Sequence, residues 1–205
     1  MLRLEEIRRC ISTHVPLEVS RDGMSRAAVA LVLRGPAEAP DILFIKRASR
    51  EGDPWSGQMA FPGGRYDPTD ESEKDTAIRE TEEEVGLSLW ETEFLGRIDD
   101  LRGRPTTPSG GIVVSAHVYS LPSPPPLTLN AEVAEAFWFP LSDLLEPRRQ
   151  VQYNYPGQES MVFPGLVVGD PERHVVWGLT YRFLEIFLEI AGHPLGTLPS
   201  DLDRL

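Results

Sequence analysis

The sequence predicts an α/β domain in which a mixed β-sheet lies between layers of helices. Two features indicate this class. Short apolar segments typical of strands lie before and after an acidic helix predicted at about residues 72–85. An amphipathic helix is then predicted at 175–191, after the last of these segments. Strands that are interrupted by one helix and followed by another pack most simply as a sheet between helical layers.

The apolar segments predict the strands in chain order. The first two, Ala27–Leu33 and Ile42–Lys46, are separated by a loop with two prolines and are expected to pair antiparallel. Further strands are predicted at 94–98, 112–121 and 134–139, followed by a short helix at 141–145 and a hairpin or irregular arm at 150–170.

The chain is expected to fold as one domain over residues 1–205. Its 205 residues, 40% of them hydrophobic, suffice for one sizeable core. Apolar residues at helical spacing predict an N-terminal helix within residues 1–20, and this helix and the one at 175–191 are expected to pack on the domain.

The charge of the chain limits its partners. A net charge of −12 disfavours nucleic acid and anionic membranes as partners, and an anionic substrate would need a locally basic entrance to its site. No apolar segment reaches the roughly 18 residues of a membrane span. The single cysteine, Cys10, excludes an intrachain disulfide and favours a reducing, cytoplasmic location. These properties do not determine the oligomeric state, and a homodimer is possible.

A cluster of glutamates on the central helix is the strongest functional feature. Residues four apart on a helix lie about 40° apart, so Glu80 and Glu84 share one face, and Glu83 flanks them. Such carboxylates repel one another unless a cation lies between them, and Mg²⁺ prefers oxygen ligands. Arg79, four residues before Glu83, can orient that carboxylate. Glu82 points away and is predicted to be solvated.

Signals at both ends of this segment support the helix. Gly63 and Gly64 supply a tight turn at which the backbone can approach a ligand. Ser72 is the predicted N-cap, with Asp75 three residues later as a partial capping box. Gly86 is placed to end the helix.

This segment resembles the signature of the Nudix hydrolases. The matching residues are Arg79, Glu80, Glu83, Glu84, Gly86 and Leu87. The chain departs from the signature twice. Fourteen residues, 65–78, precede Arg79 where the common signature has thirteen, an expansion shared with the coenzyme A pyrophosphatase branch. Thr81 stands where an apolar residue is usual. The extra residue leaves either Asp70 or Glu71 as the first acid, and neither is assigned a role.

The resemblance implies a Nudix-type α/β/α sandwich with a mixed β-sheet, and Mg²⁺ or Mn²⁺ as cofactor. The implied metal ligands are Glu80, Glu83, Glu84 and the carbonyl group of Gly64. The implied catalytic residues are Glu83, Glu80 and Arg79. Relatives often recruit a further acid from a distant loop, for which Glu132 is the candidate and Glu135 the alternative.

Two flanking segments are similar to the coenzyme A pyrophosphatase branch. They are Lys46-Arg47, Gly57-Gln58 and Phe61–Gly64 upstream of the helix, and His174–Thr180 downstream. Residues 53–56 replace a segment that is usually more basic. The candidate substrate-binding residues are Arg47 and Arg65 for phosphates, Gly63 and Gly64 in the turn, and Trp55, which either stacks on a base or anchors the loop.

The resemblance implies a Mg²⁺-dependent diphosphatase that hydrolyses coenzyme A or acyl-coenzyme A to a phosphopantetheine and 3′,5′-ADP. The first alternative keeps this chemistry with ADP-ribose, a dinucleotide or a nucleoside triphosphate as substrate. The second is a binding module of the same fold without catalysis. No phosphate-binding P-loop, nucleophile elbow or paired-cysteine zinc motif occurs in the sequence.

Overall fold

The computed structural model describes residues 2–52, 55–107, 110–154 and 161–196, with the backbone alone at 104–107 and 110. The elements in chain order are α1 (Leu4–Thr13), β1 (Ser25–Arg34), β2 (Asp41–Arg47), β3 (Met59–Ala60), β4 (Gly63–Arg65), α2 (Glu73–Val85), β5 (Glu93–Thr107), β6 (Gly110–Ser120), β7 (Val133–Pro140), the 3-10 segments Leu141–Leu145 and Pro147–Arg149, β8 (Gln150–Asn154), β9 (Val162–Val167), β10 (Val175–Trp177) and α3 (Gly178–Ile190).

A mixed sheet organises the fold. In the described part of the chain it has seven strands, in the order β3-β2-β1-β6-β5, with β4 paired to β1 and β7 paired to β2. Strands β1 and β6 are parallel and the other pairs are antiparallel. One edge of β1 is shared, because β2 pairs with its C-terminal end and β4 pairs with Ala27–Val29. Strands β8, β9 and β10 form a second, smaller sheet.

Apolar layers cover both faces of the large sheet. Successive side chains of a strand point to opposite faces, and β1 follows this rule. Ala28, Ala30 and Val32 pack in the layer that contains the apolar residues of α2. Leu31 and Leu33 pack in the other layer, with α1 and α3. The predicted α/β fold with a mixed sheet between helices is therefore confirmed.

The two terminal helices are found, and the last one is shorter than predicted. Helix α1, Leu4–Thr13, lies within the predicted segment 1–20, and Pro16 follows it and disfavours the helical conformation of the residue before it. Residues 175–177 form β10 instead of the first turn of the last helix. Gly178, at φ +62°, separates this strand from α3. No helix in these described ranges is long and apolar enough to cross a membrane.

The strand predicted at 94–98 is longer than expected, because β5 continues to Thr107 by pairing with β6 through three register shifts. The other predicted elements are found with small shifts of their ends, and β1 and β2 pair antiparallel as expected. The predicted arm at 150–170 contains the β8–β9 pair, and its residues 155–160 lie outside the described residues. Residue 1 and residues 197–205 also lie outside them. The single domain over 1–205 therefore stays a prediction.

Candidate active site

Both ends of α2 have the predicted caps. The backbone N–H of Asp75 donates to Ser72 Oγ at 3.3 Å, and that hydroxyl donates to Asp75 Oδ2 at 2.9 Å. Gly86 adopts φ +71° at the other end, and its N–H donates to the carbonyl oxygen of Glu82. These caps fix where α2 begins and ends.

Two glutamates of α2 pack against the double glycine. Glu84 is only 1% exposed, and its Oε2 accepts a hydrogen bond from the backbone N–H of Gly63 at 2.9 Å. Glu80 lies against Gly64, where an added Cβ would be 2.3 Å from Glu80 Cδ. Gly63 has φ +152°, and a Cβ there would lie 2.3 Å from the carbonyl oxygen of Ala28. Gly64 therefore leaves room for the Glu80 carboxylate, and Gly63 lets β4 approach β1 closely.

The surroundings of these carboxylates oppose their negative charge. Burial raises the pKa of Glu84 to about 8. The charges of Glu80 and Glu132 also raise this pKa, whereas the hydrogen bond from Gly63 lowers it. Burial also raises the pKa of Glu80, although the guanidinium of Arg79 opposes that shift. A bound cation would relieve this repulsion.

Arg79 connects the glutamates to the turn before α2. Its Nη1 donates to Glu80 Oε1 at 3.0 Å and to Glu83 Oε2 at 3.3 Å, so the ion pair expected between Arg79 and Glu83 is present. Its Nη2 also donates to the backbone carbonyl oxygen of Arg65 at 3.3 Å. Nε and Nη2 of the same guanidinium donate to Oδ1 and Oδ2 of Asp70.

Asp70 is a site residue that the sequence did not identify. It is buried, and its Oδ2 also accepts from the backbone N–H of Asp67 at 3.0 Å and from Thr76 Oγ1 at 2.8 Å. Its hydrogen bond with Arg79 holds the pKa of this carboxyl group well below its usual range. Glu71 is exposed. Of the two acids left open by the spacing, Asp70 is therefore the one connected to the site.

The other departure from the signature is also explained. Thr81 is fully buried, and its Oγ1 donates to the backbone carbonyl oxygen of Ala77 at 2.6 Å. This hydrogen bond satisfies the hydroxyl group, so a polar residue fits at an apolar position. Glu82 is exposed, as predicted.

The two candidates for the additional acid lie in different surroundings. Glu132 lines the same cavity as Glu80 and Glu84, and its Oε1 is 2.9 Å from Arg50 Nη1. Glu135 instead pairs with Arg173 and, at 3.1 Å, with His174. It is not among the described residues that line the cavity. This arrangement favours Glu132 over Glu135 as the additional acid of the site.

One cavity of about 860 Å³ joins most of the predicted site residues. They are Arg47, Trp55, Gly63, Gly64, Arg65, Glu80, Glu84 and Glu132. Arg47 Nη1 lies 4.0 Å from Glu84 Oε1, and the guanidinium of Arg65 lies 6.0 Å from the centre of the Trp55 ring.

Glu83 is more peripheral than the other predicted site residues of α2, since its side chain is 56% exposed and is not among the described residues that line the cavity. Asp53 and Pro54, part of the atypical segment 53–56, lie outside the described residues.

The donor set fits a hard divalent cation in its chemistry. Glu80 and Glu84 present carboxylate oxygens to one cavity, beside the backbone of Gly64, and Mg²⁺ binds such oxygens. In the part of the chain that the structure describes, no group of three or more His, Cys, Asp or Glu side chains is arranged to hold a metal ion. Metal ligation by Glu80, Glu83, Glu84 and Gly64 therefore stays a prediction.

Comparison with known proteins identifies related sequences and folds. The family model of the Nudix domain matches residues 24–157. An uncharacterized protein of Schizosaccharomyces pombe is 42% identical over 120 residues, which are 55% of this chain and 36% of that protein. The match thus spans about a third of that relative. The human mitochondrial coenzyme A diphosphatase NUDT8 is 34% identical over 169 residues, which are 80% of this chain and 68% of that protein.

A solved structure shares the fold. The crystal structure of a MutT/Nudix family protein from Enterococcus faecalis aligns with a TM-score of 0.54 and 17% sequence identity. The alignment covers 88% of this chain and 66% of that one. At this identity the likeness concerns the fold alone, and it agrees with the predicted architecture.

Proposed function

The chain belongs to the Nudix hydrolase family, and on this premise we propose that it hydrolyses the pyrophosphate bond of coenzyme A or an acyl-coenzyme A. The products are a phosphopantetheine, which keeps any acyl group, and 3′,5′-ADP. The observation that carries the proposal is the packing of Glu80 and Glu84 against Gly63 and Gly64 inside one cavity. The 34% identity to a coenzyme A diphosphatase supports the choice of substrate.

The cofactor of this proposal is Mg²⁺ or Mn²⁺, held by Glu80, Glu83, Glu84 and the carbonyl group of Gly64. When bound, the ion neutralises charge on the diphosphate and lowers the pKa of water. The family generally uses such ions, and the carboxylates of α2 supply suitable oxygen donors.

The side chains around the cation site have separate tasks in the proposed reaction. Arg79 fixes the carboxylates of Glu80 and Glu83 through the contacts at 3.0 and 3.3 Å. Arg47 contacts the phosphate oxygens of the substrate. Glu83 shares in metal ligation or accepts the proton of the attacking water, and Glu132 is the additional acid. Water attacks one phosphorus, the bridging P–O bond breaks, and two phosphate monoesters leave.

Adenosine and the non-nucleoside half of the substrate need different surroundings. Trp55 and Arg65 offer an aromatic ring and a cation at the same end of the cavity. A purine base stacks on such a ring, and a guanidinium binds phosphate. We assign the adenosine half of the substrate to this end.

A substrate panel tests the proposed function. Coenzyme A, acetyl-coenzyme A, ADP-ribose, a diadenosine polyphosphate and a nucleoside triphosphate are each incubated with Mg²⁺ or Mn²⁺, and the products are resolved by mass. We expect the highest kcat/KM for a coenzyme A compound, with 3′,5′-ADP as a product. A higher kcat/KM for ADP-ribose would make ADP-ribose the preferred substrate in place of coenzyme A. No hydrolysis of any compound would favour a binding module.

We further propose a cytoplasmic location, on the grounds of the single cysteine, and a small-molecule nucleoside diphosphate derivative as the partner, on the grounds of the family. The charge of −12 disfavours nucleic acid and anionic membranes as partners. A homodimer stays open and is tested by light scattering of the purified protein.

A further inference from the structure

The cavity extends from the double-glycine strand across the large sheet. Arg65 of β4 lies opposite Ala27 of β1, which lies opposite Val114 of β6, which lies opposite Leu101 of β5. All four residues line the cavity. Three strand spacings of about 4.8 Å make this row about 14 Å long. A row of this length along the cavity suits an extended ligand chain better than a single ligand ring.

Hydrocarbon side chains cover much of the far end of this row, where Arg102, Thr180 and Arg182 also line the cavity. Phe163 of β9 and Phe183 of α3 are 1% and 2% exposed and line the cavity. Leu179, in the first turn of α3, reaches towards Gly103 of β5, where an added Cβ would lie 3.3 Å from Leu179 Cδ1. The same Cβ would lie 2.6 Å from Ile112 Cγ2, so glycine leaves room for both side chains. This end of the cavity is called the apolar half below.

The two ends of the row differ in chemistry. Arg65 is exposed at one end, beside Trp55, whereas Leu101 and Leu179 are half-buried at the other. A purine has several hydrogen-bonding groups at its edges, and burying them among hydrocarbon side chains without partners is unfavourable. A hydrocarbon-rich chain has methyl and methylene groups between its few polar groups, and these gain from leaving water.

We propose that the apolar half binds the non-nucleoside arm of a nucleoside diphosphate substrate, and that Leu179 makes the enzyme prefer a hydrocarbon-rich arm to a sugar. This inference rests on the proposed function, because that function places a diphosphate at the glutamate end of the same cavity. The arm then follows the row from Arg65 towards Leu101 and passes beneath Leu179. Leu179 is thus a specificity-determining residue, and it takes no part in bond cleavage.

Two substrates that share the same ADP group test the inference. Dephospho-coenzyme A carries a pantetheine arm and ADP-ribose carries a sugar, so a change at the nucleoside end affects both alike. The variant Leu179→Asn keeps the size of the side chain and replaces hydrocarbon with an amide group. Each buried methylene group contributes about fourfold to binding. We expect kcat/KM to fall about tenfold for dephospho-coenzyme A and to change less than twofold for ADP-ribose.

Ile186→Asn is the matched control. Ile186 is also half-buried on α3 and packs against the same core, but it is not among the described residues that line the cavity. We expect it to leave the ratio of the two kcat/KM values unchanged, even if it lowers stability. Leu179→Ala is a second variant, expected to lower the same ratio by a smaller factor, in case the asparagine variant does not fold.

The outcomes separate the two proposals. An equal loss on both substrates would place the nucleoside in the apolar half, and no loss on either would remove Leu179 from the binding site; each result overturns this inference alone. A wild-type enzyme that hydrolyses neither coenzyme A nor dephospho-coenzyme A would overturn the proposed function, and this inference with it.

Discussion

Asp70 and Arg79 form a two-point ion pair, in which Nε and Nη2 of the guanidinium donate to Oδ1 and Oδ2 of the carboxylate at 2.9 and 3.0 Å. A two-point contact fixes the plane of the guanidinium. The remaining Nη1 therefore has a defined direction, towards Glu80 and Glu83. Asp70 thus positions two of the proposed metal ligands without touching the cavity itself.

We expect Asp70→Asn to lower kcat by about 10–100-fold, as loss of a residue that supports metal ligands typically does. The loss of charge-assisted hydrogen bonds should also cost about 1.5–3 kcal/mol of unfolding free energy. Steady-state rates and chemical denaturation measure the two effects. Glu71→Gln is the matched control, since Glu71 is exposed, and it should change neither. Wild-type kinetics in Asp70→Asn would show that Arg79 needs no support from the turn.

Removal of divalent cations is expected to abolish hydrolysis. The charge of Glu80 adds to the raised pKa of the buried Glu84, so binding of a cation beside the two carboxylates is favoured. Activity is measured after treatment with a chelator and again after addition of Mg²⁺ or Mn²⁺, which should restore it. Full activity in the chelator would contradict a role for metal.

We expect Glu84→Gln and Glu83→Gln each to lower the rate by about 10²–10⁴-fold, the typical effect of removing a positioned acid or base. Glutamine keeps the size of the side chain, so circular dichroism and thermal melting should show a folded protein. Glu82→Gln is the control on the same turn, because Glu82 is exposed, and its rate should match the wild type. Wild-type rates in both test variants would contradict the assignment of the site.

The parts of the site that depend on local sequence were predictable, and those that depend on contacts across the fold were not. The ends of α2 follow from Ser72 and Gly86, whose preferences act within one turn of the helix. The choice between Asp70 and Glu71 depends on how the chain turns before the helix. Both residues are acidic and they are adjacent in the sequence, so the sequence alone does not decide which one contacts the site.

Short strands were missed for a similar reason. β3 and β10 contain two and three residues, too few to show the alternation that predicts a strand. The apolar half of the cavity was also missed, because Gly103 and Leu179 meet only when α3 packs beside β5. By contrast, the buried strands β1 and β2 have long apolar segments and were predicted within a few residues.

Arg47→Ala is expected to raise KM more than it lowers kcat. Arg47 lines the cavity 4.0 Å from Glu84, so it can bind phosphate oxygens in the substrate and in the transition state alike. Loss of a charge-assisted hydrogen bond costs about 1.5–3 kcal/mol, or about 10–100-fold in KM. The effect should shrink as salt is added, to the extent that the arginine is solvated.

Lys46→Ala is the control for Arg47. Lys46 is the preceding residue of β2, and it pairs with Glu135 at 3.5 Å instead of lining this cavity. Its KM should equal that of the wild type. An unchanged KM in folded Arg47→Ala would show that the guanidinium does not bind substrate.

His117 is expected to make the fold less stable in acid. It is 5% exposed on β6, and burial lowers its pKa to about 4, with the charges of Arg97 and Lys74 adding to the effect and that of Glu73 opposing it. In the unfolded chain the pKa is about 6.5. Between these values the unfolded state binds more protons, so stability is complete above about pH 6.5 and falls as the pH drops towards 4.

The expected loss attributable to His117 between pH 7 and pH 5 is about 2 kcal/mol of unfolding free energy. Chemical denaturation of the wild type and of His117→Gln at both pH values measures it, because the other titrating groups are common to both proteins. The variant should lose about 2 kcal/mol less than the wild type over this interval. Equal losses in the two proteins would mean that His117 is already protonated in the folded state or that its burial is relieved in acid.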